Sequence, residues 1–208
     1  VVELSGPAAL WGALQQLGQE TTSLSGEFSV NMVLRVPIGP DASIPSAIFA
    51  GLDNISVASP SEPADAGTLM QNALENSGIT ILLEPVTVLG ASGGSSGKAM
   101  QARVVEEGSH ITLLSWGSSV NTAKKAAAIL RKESIGAEII DLRSLSPLDI
   151  DTISVSVNKT GRVILIGGSS TMINNTITAS FLRLESPPVQ VEQSSTAIVS
   201  KARAAIQY

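Results

Sequence analysis

Short aliphatic runs alternate along this chain with stretches whose apolar residues recur every three or four positions, and that alternation predicts strands threaded by helices. Ile111–Ser115, residues 137–142 and Val163–Ile166 are too short for helices and rich in Ile, Leu and Val, as strands buried on both faces are. Over residues 118–132, Val120, Ala123, Ala127 and Leu130 fall on one helical face with Lys124, Lys125 and Arg131 outside, and Ser119 is the candidate N-cap. Pro147 and Asp149 open a further helix with Ile150, Ile153 and Val157 on one side, and Gly161 ends it. Residues 136–166 therefore read as strand, Pro-stopped loop, helix, Gly turn and strand, one βαβ unit of a parallel sheet.

The upstream half repeats the scheme. Residues 1–4 predict a short strand, and Pro7 opens a helix carrying Leu10, Ala13, Leu14 and Leu17. A turn-rich break at 23–27 precedes a strand at 30–36, and three prolines and a glycine in VPIGPDASIP make residues 36–45 a loop. Ile55–Ala58, a helix containing Ala66, Leu69, Met70 and Ala73, and a strand at 79–83 form a second βαβ unit. Residues 85–98 are depleted in packing residues and end in GASGGSSGK, the composition of a flexible connection between two domains. A helix at 171–184, a strand at Val189–Val191 and a helix at 195–206 complete an α/β chain of two domains, each a mostly parallel sheet flanked by helices.

Composition narrows the function classes. At 208 residues and 43% hydrophobic the chain can fill two cores, and no apolar run approaches the ~20 residues that span a bilayer. A net charge of −5 with scattered Lys and Arg argues against a nucleic-acid partner. With no Cys and one His, thiolate chemistry and Cys-ligated metal sites are excluded. Aromatic residues are 3% of the chain, few for a protein that stacks a flat cofactor ring.

The tempting motifs have structural readings. Lys98 is followed by Ala99 rather than Ser or Thr, so GASGGSSGK fails as a phosphate loop and reads as linker. His110 precedes a strand far in sequence from any loop expected to line a site, and is read as structural. Glu106 and Glu107 are adjacent on an extended segment, point to opposite sides and are expected to be solvated. Glu3, at a strand end, receives no chemistry.

The wording DLRSLSPLD at 141–149, followed by KTGRV at 159–163, resembles the β subunit of thiamine-diphosphate-dependent 2-oxo acid dehydrogenases of the pyruvate dehydrogenase type. SGEFSVNMVLRVPIG at 25–39, the 55–85 stretch, VVEEG at 104–108 and ITLLSWGSSVNTAKKAA at 111–127 match the same family in the same order. The resemblance implies a partial transketolase-type pyrimidine-binding domain over residues 1–88, a linker at 89–103 and a transketolase C-terminal-like domain over 104–208, divergent and incomplete at its N-terminus.

The resemblance also says where chemistry should be. In the family a Glu hydrogen-bonds the cofactor's aminopyrimidine, and it lies ahead of the strand matched by residues 1–4, before the point where this chain starts. Aromatic residues that pack the pyrimidine align with Pro7 and Ala9, which offer no ring. A His-Ser-Gln loop that assists acyl transfer aligns with IGPDASIPSAIF, where Asp41 or Ala42 is nearest, and a strand that ends in Glu-Gly ends here in Ile166, Gly167 and Gly168, followed by SSTMINN. All these departures fall on functional positions.

The chain is accordingly expected to be a catalytically inactive relative acting as a structural or accessory subunit among other protein subunits, with no catalytic, cofactor-binding or metal-binding residue assigned and no cofactor of its own. The alternative is a genuine β subunit that, with an α subunit, would hold thiamine diphosphate and Mg²⁺ and pass an acyl group to a lipoyl acyltransferase core. A free ligand-binding module using the carboxyl-end crevice of a sheet is a weaker third reading. By resemblance the expected location is a mitochondrion or plastid, with bacterial cytoplasm as the alternative.

Overall fold

In the computed structural model, residues 1–23, 31–39, 44, 55–94, 97–167 and 184–207 are described, and of residues 17–23 the backbone alone. The upstream elements are β1 (Val2–Glu3), α1 (Pro7–Ser23), β2 (Met32–Ile38), β3 (Ile55–Ala58), α2 (Pro63–Glu75) and β4 (Ile79–Pro85). They are followed by β5 (Arg103–Glu106), β6 (Ile111–Ser115), α3 (Ser119–Arg131), β7 (Ala137–Asp141), β8 (Ser144–Ser146), α4 (Ile150–Thr160), β9 (Val163–Ile166), β10 (Val189–Val191) and α5 (Ser195–Gln207). Among the described residues these strands form two five-stranded sheets in the orders β1-β2-β4-β3-β8 and β10-β9-β6-β7-β5. Each sheet is parallel except for one antiparallel edge strand, β8 on β3 and β5 on β7. The fold is α/β, as the alternating pattern predicts.

Local chemistry sets the helix ends. Asp149 caps α4 by accepting from Thr152 N–H at 3.2 Å. Gly161 closes it in the left-handed region at φ 66°, donating its N–H to Val157 O at 2.8 Å. Pro63 occupies the first turn of α2, where its missing N–H is no loss. The periodic faces are buried as read: Leu10 and Leu14 on α1, Leu69 and Ala73 on α2, Val120, Ala123, Ala127 and Leu130 on α3, Ile153 and Val157 on α4.

Several expectations are corrected or left outside. The loop expected from residue 36 begins later, because β2 runs on through Pro37 to Ile38. Arg35 O accepts from Leu4 N, so the Pro37 nitrogen also faces the β1 side, where pairing with β1 has already ended, and no ladder bond is lost. Ser119 is the first residue of α3 rather than its cap; its hydroxyl turns back to Trp116 instead. The Pro-stopped loop at 143–147 contains β8, which leaves the βαβ unit and pairs with β3 of the other sheet, and β5 is an edge strand that the pattern did not announce. The helix expected at 171–184 and most of the break at 23–27 lie outside the described residues.

The sheets share a core. One buried cluster joins Val36, Val57 and Leu83 of the first sheet to Leu114, Ile140 and Leu165 of the second, with Trp116, Leu142 and Leu145 between them. A second cluster lies between the second sheet and helices α3 and α5. Leu114 is fully buried in the shared cluster, so Leu114→Ala should cost about 2–5 kcal/mol. Urea denaturation followed by circular dichroism should show that loss as an earlier midpoint in a single transition, because the core does not stop at either sheet.

Candidate functional site

Ligands of open α/β sheets bind outside the carboxyl ends of strands, where successive connections depart in opposite directions. In the second sheet that point lies between β6 and β9, since β6 leads through α3 to β7 on one side while β10 lies beyond β9 on the other. The crevice is bridged by protein. The Trp116 indole donates to Gly167 O at 3.2 Å, and the Ser119 hydroxyl lies 2.6 Å from Trp116 O and 3.3 Å from Ile166 O while accepting from Trp116 N–H. The neighbouring strand ends abut the first sheet. Gly117 sits at φ 53°, and a Cβ there would stand 2.8 Å from Ser59 Oγ and 3.1 Å from Pro85 Cγ, so only glycine permits the approach.

Between the sheets, beyond β7, lies a group of charges buried almost entirely. Asp65 from the first turn of α2 and Asp141 from the end of β7 are both fully buried, and Arg143 is 1% exposed. Arg103 of β5 places Nη2 3.1 Å from Asp65 Oδ2 and 3.2 Å from Asp141 Oδ2. Ser61 donates to Asp141 Oδ2 at 2.5 Å, with Asp65 Oδ2 at 3.4 Å. Arg143 Nη2 is 3.0 Å from Asp65 Oδ1, and Nη1 donates to Lys98 O at 2.6 Å and Gln101 O at 3.3 Å. Glu62 lies at the rim, 3.8 Å from Arg103, and takes Lys124 at 3.4 Å.

This arrangement is held under local strain. Arg143 adopts φ 54°, with Ser144 N–H folded back on Leu142 O at 2.5 Å, a conformation that costs a non-glycine residue about 1–3 kcal/mol. The turn aims the guanidinium inward and sends β8 across to β3, where Ser59 N–H donates to Arg143 O at 2.8 Å. Burial pushes the Asp141 carboxyl up to about 6, against the opposing pull of Ser61 and Arg103, while the neighbouring Asp65 charge adds to the rise and Arg143 opposes it. Among the described residues Asp141 Oδ1 and Arg143 Nε have no hydrogen-bond partner. Glu138, on the same strand, behaves oppositely: burial would raise its pKa, but the hydrogen bonds from Lys159, Ser156 and the Gly108 N–H more than offset it and hold it below the ordinary range.

The residues singled out in the sequence scatter. Glu3 is exposed and meets Arg35 at 3.6 Å, and Arg35 in turn binds the buried Glu84 at 2.8 Å. Pro7 and Ala9 open α1, half-buried, and Trp11 on that helix is 46% exposed. His110 is exposed and accepts from Gly136 N–H at 3.0 Å, a loop contact. Glu106 pairs with Arg131 and Glu107 is exposed, so they form no dyad. Lys98 contributes its backbone carbonyl to Arg143. Asp41, Ala42, Gly168 and the SSTMINN stretch lie outside the described residues. Among the described residues no group of three or more His, Asp or Glu side chains could hold a metal ion. An open cleft of about 290 Å³ beside α2, lined by Asn72, Asn76, Ser77, Thr80 and Met100, brings no titratable group together.

Comparison with known proteins accounts for this architecture. The family described as "Transketolase, C-terminal domain" matches residues 100–207. The chain belongs to the transketolase C-terminal domain family. Over 185 residues it is 32% identical to the pyruvate dehydrogenase E1 component subunit beta of Acholeplasma laidlawii, covering 79% of this chain and 57% of the relative. Over 132 residues it is 35% identical to the acetoin:2,6-dichlorophenolindophenol oxidoreductase subunit beta of Cupriavidus necator, covering 61% of this chain and 39% of the relative. The chain thus spans about half the length of the curated relatives it matches. A solved structure described as "Split gene transketolase, inactive beta4 tetramer" shares the fold with a TM-score of 0.73 at 20% identity, over 86% of this chain and 67% of that one.

In this member of the transketolase C-terminal domain family, a constellation of ionisable groups from α2, β5, β7 and the turn after it is buried between the sheets. Its members are not visible as a motif because they lie far apart in the chain, Ser61 and Asp141 by 80 positions. The available signal was the Asp-Leu-Arg triplet at 141–143, two opposite charges at the end of a buried apolar strand. Removing one partner strands the other: Arg143→Leu should cost about 3–5 kcal/mol, since Asp65 is left buried without its second cation. Urea unfolding would measure it against Glu3→Ala, which frees only the exposed end of Arg35 and should leave the midpoint nearly unchanged.

Proposed function

We propose that the chain is a catalytically inactive relative of the 2-oxo acid dehydrogenase β subunit, acting as a structural or accessory subunit of a larger assembly. The observation that carries this reading is the environment of the α1 start. Where the family packs a pyrimidine ring, Pro7 and Ala9 provide none, and the carboxylates Glu3 and Glu84 are both engaged by Arg35. Pro7 and Ala9 offer thiamine diphosphate no ring platform, and among the described residues no group of three or more His, Asp or Glu side chains could hold Mg²⁺, which supports a role without this cofactor. The closure of the β6–β9 crevice by Trp116 and Gly167 counts against a free ligand-binding module.

A second reading is favoured by the relatives themselves, several of which are named as E1 beta subunits. Under it the chain, with an α subunit and a lipoyl acyltransferase core, would take part in thiamine-diphosphate-dependent decarboxylation of a 2-oxo acid.

Two measurements separate these readings. Isothermal titration of the native complex containing the chain with thiamine diphosphate and Mg²⁺ should give no saturable heat, and mass spectrometry of that complex should identify the subunits it supports. Saturable binding that is lost on chelation, together with an α subunit that decarboxylates a 2-oxo acid in the isolated complex, would replace the accessory role with the catalytic one.

A further inference from the structure

We propose that the Ser61, Asp65, Arg103, Asp141 and Arg143 cluster is a proton-linked latch between the first turn of α2 and the second sheet, tightened when it holds a proton and loosened when it loses one. The proposal stands on geometry that the accessory-subunit reading does not use. Two carboxylates, Asp65 of helix α2 and Asp141 of strand β7, turn their Oδ2 atoms toward one hydroxyl, Ser61, and one guanidinium nitrogen, Arg103 Nη2. The remaining oxygen of Asp141 is buried without a hydrogen-bond partner among the described residues. Asp65 Oδ1 likewise has no hydrogen-bond partner among the described residues, but Arg143 Nη2 lies 3.0 Å from it, so Asp141 is the less compensated of the two. A pair of like charges converging on shared donors, with one oxygen left uncompensated, is the arrangement in which a proton substitutes for missing solvation.

The groups facing Asp141 are Ser61 and Asp65 from the start of α2, Arg103 from β5 and Arg143 from the turn after β7. Glu62 and Lys124 act from the rim through Arg103. Two cations and two carboxylates balance when Asp141 is ionised. Desolvation nonetheless outweighs the attraction, and the proton is held up to about pH 6 rather than 3.8. The sign follows: a raised value in the closed state means that the stabilisation is fully present below 3.8, the value of the hydrated group, and is lost as pH rises through about 6.

Opening of the first turn of α2 that hydrates Asp141 would restore the hydrated value, so the opening constant should rise about tenfold between pH 5 and pH 7.5. Hydrogen exchange of the full chain, corrected for the intrinsic pH dependence of amide exchange, reads that constant at residues 61–66. The expected result is about tenfold weaker protection there at pH 7.5 than at pH 5, with the helices α3 and α5 as unchanged references. Asp141→Asn should abolish the pH dependence. Should that variant fail to fold, Ser61→Ala keeps the carboxyl but removes a hydrogen bond that favours its ionised form, and should move the midpoint upward. Protection that is flat from pH 5 to 7.5, the same slope in Asp141→Asn, or a midpoint unmoved or lowered in Ser61→Ala would each overturn the latch.

Discussion

A buried guanidinium is the constraint on which this fold turns. Taking an ion from water carries an effective penalty of several kcal/mol, and it is tolerated only where hydrogen bonds and counter-charge converge on it. Arg143 meets that demand with carbonyls of Lys98 and Gln101 and the carboxylate of Asp65, three contributions from chain segments that would otherwise have no reason to meet. The left-handed backbone at Arg143 is the geometric consequence. It turns the side chain into the cluster and carries the chain across to β3 as β8.

That junction uses the surface on which α/β proteins ordinarily bind ligands. The carboxyl ends of β6 and β7 are spent on packing: Gly117 approaches Ser59 and Pro85, Asp141 meets Ser61, and Trp116 ties β6 to β9. Buried ion clusters are seldom the most stabilising solution, because apolar residues of similar volume often serve as well or better. What an ionic cluster adds is orientation, since charges and donors must meet at fixed angles whereas apolar surfaces slide. In a chain read as an accessory subunit, a fixed relation between the two sheets would present a defined surface to its neighbours.

How much of this was legible in the sequence depended on the range of the interactions involved. Helix faces such as Val120, Ala123, Ala127 and Leu130, and caps such as Asp149 and Gly161, are set within a few residues and were readable. Strand β8 was not, since SLS has no periodicity and its pairing with β3 is decided about ninety positions away in the chain. Ser119 misled for a related reason: a cap and a tertiary hydroxyl look alike until the partner, here Trp116, is known. The cluster was hidden because the Gly/Ser-rich stretch read as mere connection; Gly97 and Lys98 lie against Arg143, and a Cβ at Gly97 would come within 3.0 Å of its Nη1. Small residues there serve close approach as well as freedom.

The same connectivity limits how the junction can loosen. Residues 141–146 supply Asp141 and Arg143 to the cluster and, as β8, a strand to the opposite sheet, so rigid separation of the sheets would break the β3 ladder and expose four buried charged or hydroxylic groups together. It would also divide the shared core around Leu114, Leu142 and Leu145. The first turn of α2 is tied less firmly. Its cap residue Glu62 makes no side-chain cap bond, and the N–H of Ala64 is met by Gly93 O at 3.2 Å, from the Gly-rich stretch itself. Movement at this junction therefore begins where Ser61 and Asp65 enter the helix, leaving β8 on β3 and the hydrophobic core in place.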